Sequence, residues 1–266
     1  MEWKKVRNWL ILLLLTADLI LAGNIGWQVL QMRRSEWTAV EDAMAVAARA
    51  GVTLPAEALR ALPERPKAYQ LRRDNSREAQ TAQALLGAER ASEPGGGVSI
   101  YQSDRGQLSF RRGGAVELSV VWQQDSIDGS QCLALLEEAG FPMEQAQLSG
   151  EAGRQALLQQ YGGRTVFNCR LQWSLQGGYL QVRGRWLMNG DAGAETETQP
   201  MSRAQLTLSL CALLQERGLR GIRSLEMGYY LQSEDPQTAV LVPVWAAETA
   251  KGRLLLSCLD GTELNN

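Results

Sequence analysis

The side chains that could do chemistry in this chain are carboxylates, cysteines and arginines, because histidine is absent. Its 266 residues contain no histidine, which excludes serine–histidine and cysteine–histidine dyads, histidine-ligated zinc and the phospho-acceptor of a histidine kinase. The adjacent acids Glu137 and Glu138 point about 100° apart on a helix, so they do not form an acid–base pair by themselves. No phosphate-binding loop, dinucleotide fingerprint or G-x-S-x-G motif occurs in the sequence. The sequence therefore predicts a protein that is not an enzyme and that uses neither a cofactor nor a metal.

The four cysteines lie far apart in the sequence, so neither a C-x-x-C redox motif nor a zinc ribbon can form. They are Cys132, Cys169, Cys211 and Cys258. One interpretation is that all four are small apolar side chains of the core. The other is two disulfides, Cys132–Cys169 and Cys211–Cys258, each joining a predicted helix to a predicted strand. The sequence leaves both interpretations open.

The charge balance argues against a nucleic-acid partner. Lysine and arginine number 27 against 29 acids, which gives a formal net charge of −2. Nucleic-acid binding needs a basic surface that replaces the counterions of the phosphates. The hydrophobic fraction of 45 % is large enough to build a core, so a wholly disordered chain is also excluded.

Residues 9–30 form the most apolar segment and predict a transmembrane signal anchor. A helix of this length is about 33 Å long, enough to cross a hydrocarbon core of about 30 Å. Lys4, Lys5 and Arg7 in the tail of residues 1–8 favour a cytoplasmic N-terminus and an extracellular C-terminal part, which localises the protein to the cell membrane as a single-pass protein. The other interpretation is a cleaved signal peptide, which an acid in the apolar segment makes less favourable.

That acid, Asp18, predicts a contact with a partner helix. An ionisable group inside a membrane span usually faces a partner or a cavity. Asp18, Ala22 and Gly26 follow one another at intervals of four residues, so a helix places them on one face. Small residues at this spacing allow two helices to approach closely. We expect these three residues to form the partner-binding face.

The rest of the chain predicts an α+β fold of two small lobes with antiparallel sheets and a helix packed on each sheet. The membrane-proximal lobe covers residues 36–125 and the C-terminal lobe residues 126–266. Alternating strands follow the break at residues 92–97, and the second half repeats one plan of a helix followed by strands. Helices are predicted at residues 37–50, 76–90, 130–139, near 151–160 and at 202–216, and strands at 68–71, 98–101, 107–110, 115–122, 165–175, 179–188, 222–231, 239–249 and 253–259.

Several short motifs resemble the YycI type of regulatory protein. The opening MEWKK runs straight into the apolar segment, and residues 48–54 (ARAGVTL) precede a segment bounded by prolines. Residues 99–110 (SIYQSDRGQLSF) resemble a hairpin of that family. Residues 242–245 (VPVW), then Gly252, then residues 260–264 (DGTEL) resemble its closing strands, which a PepSY-like or YycH-like ectodomain could share.

The resemblance implies a specific function without catalytic residues. YycI-type proteins have one span and an extracellular domain of two α+β lobes of the YycH/PepSY-like type. With a YycH-type co-regulator they modulate a WalK-type sensor histidine kinase that governs cell-wall metabolism in Gram-positive bacteria. The expected function is therefore that of a membrane-anchored, non-enzymatic regulator of such a kinase.

Two other functions stay open from the sequence. The first is a tethered PepSY-like or cystatin-like domain that binds a ligand or inhibits a hydrolase. The second is an anchored cell-wall enzyme that works with carboxylates, for which no particular acid stands out. The extracellular part alone distinguishes an inhibitor from a regulator that acts through its span. An inhibitor acts without the apolar segment of residues 9–30, whereas such a regulator does not.

Overall fold

The structure is a computed structural model, and it describes residues 15, 18–22, 27, 35–63, 66–88, 91–143, 146–151, 154–188, 193–233 and 235–265. The chain divides into two compact units. One consists of Met1–Leu54 and Ser202–Gly221, and the other of Pro55–Met201 and Ile222–Asn266.

The described part of the first unit includes two long helical segments from distant parts of the sequence. Helix α1 covers residues 35–49 and buries Val40, Ala43 and Ala47, which lie on one face because they are spaced by three and four residues. Helix α5 (Arg203–Glu216) begins with a capping box that Ser202 forms with Gln205. After α1, the amide of Thr53 donates to the carbonyl of Arg220 over 2.8 Å, so the segments that follow the two helices are hydrogen-bonded to each other.

The second unit contains one mixed sheet of 14 described strands together with three α-helices. The helices are α2 (Ala56–Ala61), α3 (Asn75–Leu86) and α4 (Gly129–Glu138), and one turn of 3-10 helix covers Arg112–Gly114. The strands are β1 (Tyr69–Arg72), β2 (Ala91–Gly95), β3 (Val98–Ser103), β4 (Gly106–Arg111), β5 (Ala115–Val121), β6 (Ala146–Glu151), β7 (Arg154–Tyr161), β8 (Arg164–Gln176), β9 (Tyr179–Arg185), β10 (Ala194–Glu195), β11 (Ser224–Ser233), β12 (Thr238–Thr249), β13 (Gly252–Ser257) and β14 (Glu263–Leu264).

The long strand β8 connects the two parts of this sheet. The strand order is β10-β1-β12-β11-β8-β9-β5-β4-β3-β2, with β13 and β14 added beside β12, and β6 and β7 added beside β8. Strands β8 and β9 pair antiparallel, whereas β8 and β11 pair parallel where Val166 lies opposite Tyr229. The neighbouring Gly228 allows this approach, because a Cβ atom there would lie 2.4 Å from the carbonyl oxygen of Thr165.

The main core lies between α3, α4 and the antiparallel part of the sheet. Strand β5 shows the principle: Val116, Leu118 and Val120 are buried, and the residues between them point to the opposite face. The other members of this core include Leu85, Tyr101, Leu108, Phe110, Leu136, Leu157, Leu171, Leu180, Val182 and Trp186. One face of the antiparallel strands is thus covered by helices.

The predicted transmembrane helix at residues 9–30 is not supported. No helix among the described residues is both long enough and apolar enough to cross a membrane. Within that segment the structure describes Leu15, residues 18–22 and Trp27, all of which are helical and exposed. The remaining residues of the predicted span lie outside the described residues.

The prediction of two small lobes with separate sheets is also wrong. Strand β5, from the predicted first lobe, pairs with β9, from the predicted second lobe, over seven residue pairs from Ala115–Arg185 to Val121–Tyr179. The resulting sheet crosses the predicted boundary at residue 125. Strand pairing between distant segments decides this architecture, and a repeated order of elements does not reveal it.

Most individual elements agree with the sequence predictions, but the short helix near residues 151–160 is wrong. Residues Arg154–Tyr161 form β7, which pairs with β8. The segment reads RQALLQQY, which has a high helix propensity, but pairing with a central strand overrides this preference.

Candidate functional site

A cleft with a volume of about 310 Å³ lies where α3, α4 and the end of β5 meet. Its buried floor contains Leu85 and Val120, and Ala139 closes it at the end of α4. Its remaining lining residues are Ala84, Arg105, Val121, Trp122, Leu135 and Glu138. Binding sites for small molecules have volumes of about 300–1,000 Å³ and mainly apolar walls, so the cleft can take an apolar group.

Two exposed charges of opposite sign belong to the cleft. Arg105 comes from the turn between β3 and β4, and Glu138 from the last turn of α4. The indole of Trp122 is held in place by a 3.3 Å hydrogen bond from its Nε1 to the carbonyl of Ser126. The cleft therefore combines an apolar interior with one cation and one anion, a combination that fits a peptide segment with an apolar side chain.

Local sequence signals fix the two helices that form the walls. The carboxylate of Asp74 accepts hydrogen bonds from the hydroxyl of Ser76 and from the amides of Arg77 and Ser76 at the start of α3, and these bonds lower the pKa of Asp74. Asp128 forms a capping box with Gln131 at the start of α4. A residue of this type caps the free amides of the first helical turn. Each of the two helices that line the cleft thus begins at an aspartate that caps its first turn.

A second, smaller cavity lies beside a buried ion pair and has a volume of about 40 Å³. The Nε atom of Arg73 lies 2.6 Å from Oε1 of Glu78, and both side chains are largely buried. Burial raises the pKa of Glu78, and the guanidinium of Arg73 partly offsets this effect. A cavity of this size holds about three water molecules, so it is too small for an organic ligand.

The predicted partner-binding residues Asp18, Ala22 and Gly26 are described only in part. Asp18 and Ala22 are helical and exposed, and their separation of four residues puts them on one helical face. Gly26 lies outside the described residues. Their role in binding stays a prediction.

All four cysteines are free thiols with buried side chains in the structure. Burial raises the pKa of Cys132 and of Cys169 to about 12, and it also raises the pKa of Cys211 and Cys258. The thiolate is the nucleophilic form, so none of these thiols is prepared for catalysis at neutral pH. The pairings Cys132–Cys169 and Cys211–Cys258 stay predictions that the mass change on reduction would test.

Sequence reasoning did not find the cleft. Its residues come from separate segments around positions 84, 105, 121 and 138, and these segments meet because α3 and α4 both pack against the antiparallel part of the sheet. The most useful signal in the sequence was Trp122, a large aromatic side chain at the end of a strand whose apolar residues alternate.

Comparisons with known proteins give only distant likenesses. No model of a protein family matches the chain, and no curated protein matches it in sequence. The structure is similar to that of an uncharacterized protein from Eubacterium rectale, with 9 % identity and a TM-score of 0.38 over 77 % of this chain and 86 % of the other. It is also similar to the C-terminal domain of YpeB from Bacillus megaterium, with 9 % identity and a TM-score of 0.35 over 73 % and 98 %. Neither likeness is to a YycI-type protein, and likenesses of this size establish neither a family nor a function.

Proposed function

We propose that this chain is a non-enzymatic regulatory protein that acts by binding a partner protein through the cleft between α3 and α4. The observation that carries the proposal is the cleft of about 310 Å³, with its buried apolar floor and its two opposite charges. The buried, protonated thiols support a binding function over a catalytic one, and the absence of histidine from the sequence points the same way.

The partner we propose is a WalK-type sensor histidine kinase, together with a YycH-type co-regulator. Support for this identity comes from the sequence motifs that resemble the YycI type. We also propose that the protein is located at the cell membrane, with its C-terminal part outside the cell. Leu19, Ile20 and Leu21, which are exposed apolar side chains, support an association with the membrane.

A pull-down of the kinase by the full chain tests the cleft. Ala84 is exposed on α3 and lines the cleft, so Ala84→Glu puts a charged side chain into the apolar site without disturbing the core. We expect this substitution to weaken binding at least tenfold. The matched control is Ala134→Glu, which changes an exposed alanine of α4 that does not line the cleft. Equal binding by both variants and the unmodified chain would exclude the cleft as the contact.

The residues predicted at the N-terminus can be tested in the same assay. Asp18→Leu removes the acid of the predicted face. If binding is lost with Asp18→Leu and retained with Ala84→Glu, the contact lies on the face of Asp18, Ala22 and Gly26 instead of in the cleft.

A second candidate function is a ligand-binding or hydrolase-inhibiting domain. The volume of the cleft favours it, because it falls within the range of small-molecule sites. Under this function the chain inhibits a cell-wall hydrolase in the absence of any kinase, and Ala84→Glu abolishes the inhibition. Kinase binding without inhibition would favour the regulatory function.

A further inference from the structure

The face of the sheet that points away from α3 and α4 carries a group of exposed arginines. We call it the arginine face and define it by Arg111 on β4, Arg170 on β8, and Arg183 and Arg185 on β9. All four side chains are exposed, whereas Phe110, Leu171 and Val182, which are adjacent to them in sequence, are buried in the core. Since successive residues of a strand point to opposite faces, the four arginines share the outer face.

The register of the strands brings these arginines close together. Ala115 on β5 lies opposite Arg111 on one side and opposite Arg185 on the other. Arg170 is adjacent to Leu171, which lies opposite Gly184, so it is beside Arg185 on the neighbouring strand. Arg183 is two residues from Arg185, which separates their Cα atoms by about 7 Å. The arginines therefore form a connected group over four adjacent strands.

Positive charge on this face exceeds negative charge. The acid that strands β4, β5, β8 and β9 place on it is Glu117, which forms a 2.9 Å salt bridge with Arg111. In the described part of the chain, Arg170, Arg183 and Arg185 form no salt bridge with an acid. The chain as a whole carries a net charge of −2, so this excess is local to the face.

Apart from Glu117, the hydrogen-bonding neighbours of the arginines on these strands are uncharged. Arg183 lies opposite Glu117 on β5 and opposite Gln172 on β8, and the next row pairs Gln181 with Ser119 and Ser174. Large exposed apolar side chains of these four strands lie at the far end of this face, where Val121 and Tyr179 lie opposite each other and are 46 % and 45 % exposed. Nearer the arginines, Ala115 lies between Arg111 and Arg185, and Leu158 on β7 lies opposite Arg170, but both are only partly exposed. A face of arginine, glutamine and serine binds by charge and hydrogen bonding.

We propose that the arginine face binds a linear polymer of phosphate groups. A guanidinium donates two parallel hydrogen bonds to one phosphate, and several adjacent guanidiniums match an anion that repeats along a chain. An acidic peptide fits less well, because peptides that bind to a protein surface gain much of their affinity from apolar anchors, and the apolar side chains at the arginine end of the face are only partly exposed. Single-stranded nucleic acid also fits less well, because it binds to rows of aromatic side chains.

The test uses long-chain inorganic polyphosphate as the probe and the full chain as the protein. The variant combines Arg170→Gln, Arg183→Gln and Arg185→Gln, which keeps polar, exposed side chains on the strands. The control combines Arg49→Gln, Arg220→Gln and Arg223→Gln, three exposed arginines outside this face and outside the cleft, and it changes the net charge by the same amount. Thermal melting of both variants checks that they are folded.

We expect the face variant to bind polyphosphate at least tenfold more weakly and the control to bind within twofold of the unmodified chain. Phosphate contacts release counterions, so the slope of log affinity against log salt concentration should fall by about one for each contact removed. An equal loss in the control would overturn the proposal in favour of a general charge effect. Tighter binding of polyglutamate or of oligothymidylate than of polyphosphate would also overturn it, in favour of an acidic peptide or a nucleic acid.

Discussion

The two faces of the antiparallel strands are built from alternate residues of the same segments, but they differ in almost every property. On β5, Leu118 belongs to the core under the helices, while Glu117 and Ser119 belong to the opposite face. On β9, Val182 is buried and Arg183 is exposed. Neighbouring residues of one strand thus have different roles. One is buried and contributes to the free energy of folding, and the next is exposed and available to bind a charged partner.

The same contrast appears in two ion pairs. Arg73 and Glu78 lie on the helix-covered side, with side-chain exposures of 12 % and 4 %. Arg111 and Glu117 lie on the arginine face, with exposures of 52 % and 51 %. A buried pair is costly to break because the remaining charge is left without water or a partner, whereas an exposed pair contributes about 0–1 kcal/mol.

The largest effect is expected from Arg73→Met. The substitution leaves Glu78 as a buried carboxylate without its cation, and it also removes the hydrogen bond from Arg73 to Ser99. We expect a loss of about 3–5 kcal/mol in the free energy of unfolding at pH 7, measured by urea denaturation. A loss below about 1 kcal/mol would contradict the assignment of this pair to the buried side.

The pH dependence of that loss gives a second measurement. Burial raises the pKa of Glu78 above its ordinary value, 4.5, and Arg73 opposes the rise, so Arg73→Met raises the pKa further. The folded variant then binds a proton more strongly than the unfolded one, which means that its stability increases as the pH falls through the raised pKa toward the ordinary value. We therefore expect a smaller difference between variant and unmodified chain at pH 5 than at pH 7. A larger difference at pH 5 would contradict this sign.

The next prediction concerns the apolar core on the helix-covered face of the sheet. Leu118 is 2 % exposed in the middle of β5, so Leu118→Ala removes buried methyl groups and leaves a cavity. The expected loss is about 3 kcal/mol, measured by urea denaturation. Ser119→Ala, on the neighbouring residue of the opposite face, should change stability by about 0.5 kcal/mol or less. Similar losses for both variants would mean that the outer face is also a packed interior.

The sequence predicted this alternation correctly but not the sheet that contains it. Strand β5 is recognisable because apolar and polar residues alternate from Val116 to Val120. Its partner β9 lies more than 50 residues away, and nothing in a local pattern identifies a distant partner. A signal for close approach between strands did exist in Gly184, where a Cβ atom would lie 1.8 Å from the carbonyl of Arg170, since an isolated glycine in a strand often marks such a contact.

The candidate sites were predicted less well than the elements. The cleft and the arginine face both combine residues from segments that only the folded sheet brings together. Arg183 and Arg185 are unremarkable in the sequence because the chain carries 27 basic residues spread along its length. They form a charged surface only together with Arg111 and Arg170 on neighbouring strands, and this arrangement depends on the register of the strand pairing.

A smaller effect is expected from the loss of the N-terminal cap of α4, one of the helices that cover the sheet. The carboxylate of Asp128 accepts a 2.8 Å hydrogen bond from the amide of Gln131 at the start of α4. Asp128→Ala removes this cap and should reduce the free energy of unfolding by about 1 kcal/mol, measured by urea denaturation. Asp128→Ser keeps a capping oxygen and should retain most of the stability. Equal losses for serine and alanine would show that the cap does not stabilise this wall of the cleft.

The smallest effect on stability is expected from Glu117→Gln. The substitution breaks the exposed pair with Arg111, so the free energy of unfolding should change by less than about 0.5 kcal/mol. It also removes the acid that opposes the arginine face, which leaves Arg111 available beside Arg185. If this face binds phosphate groups, Glu117→Gln should tighten polyphosphate binding, and the increase should diminish at high salt because screening weakens exposed charges. An unchanged affinity would show that Glu117 does not oppose the binding of phosphate groups at this face.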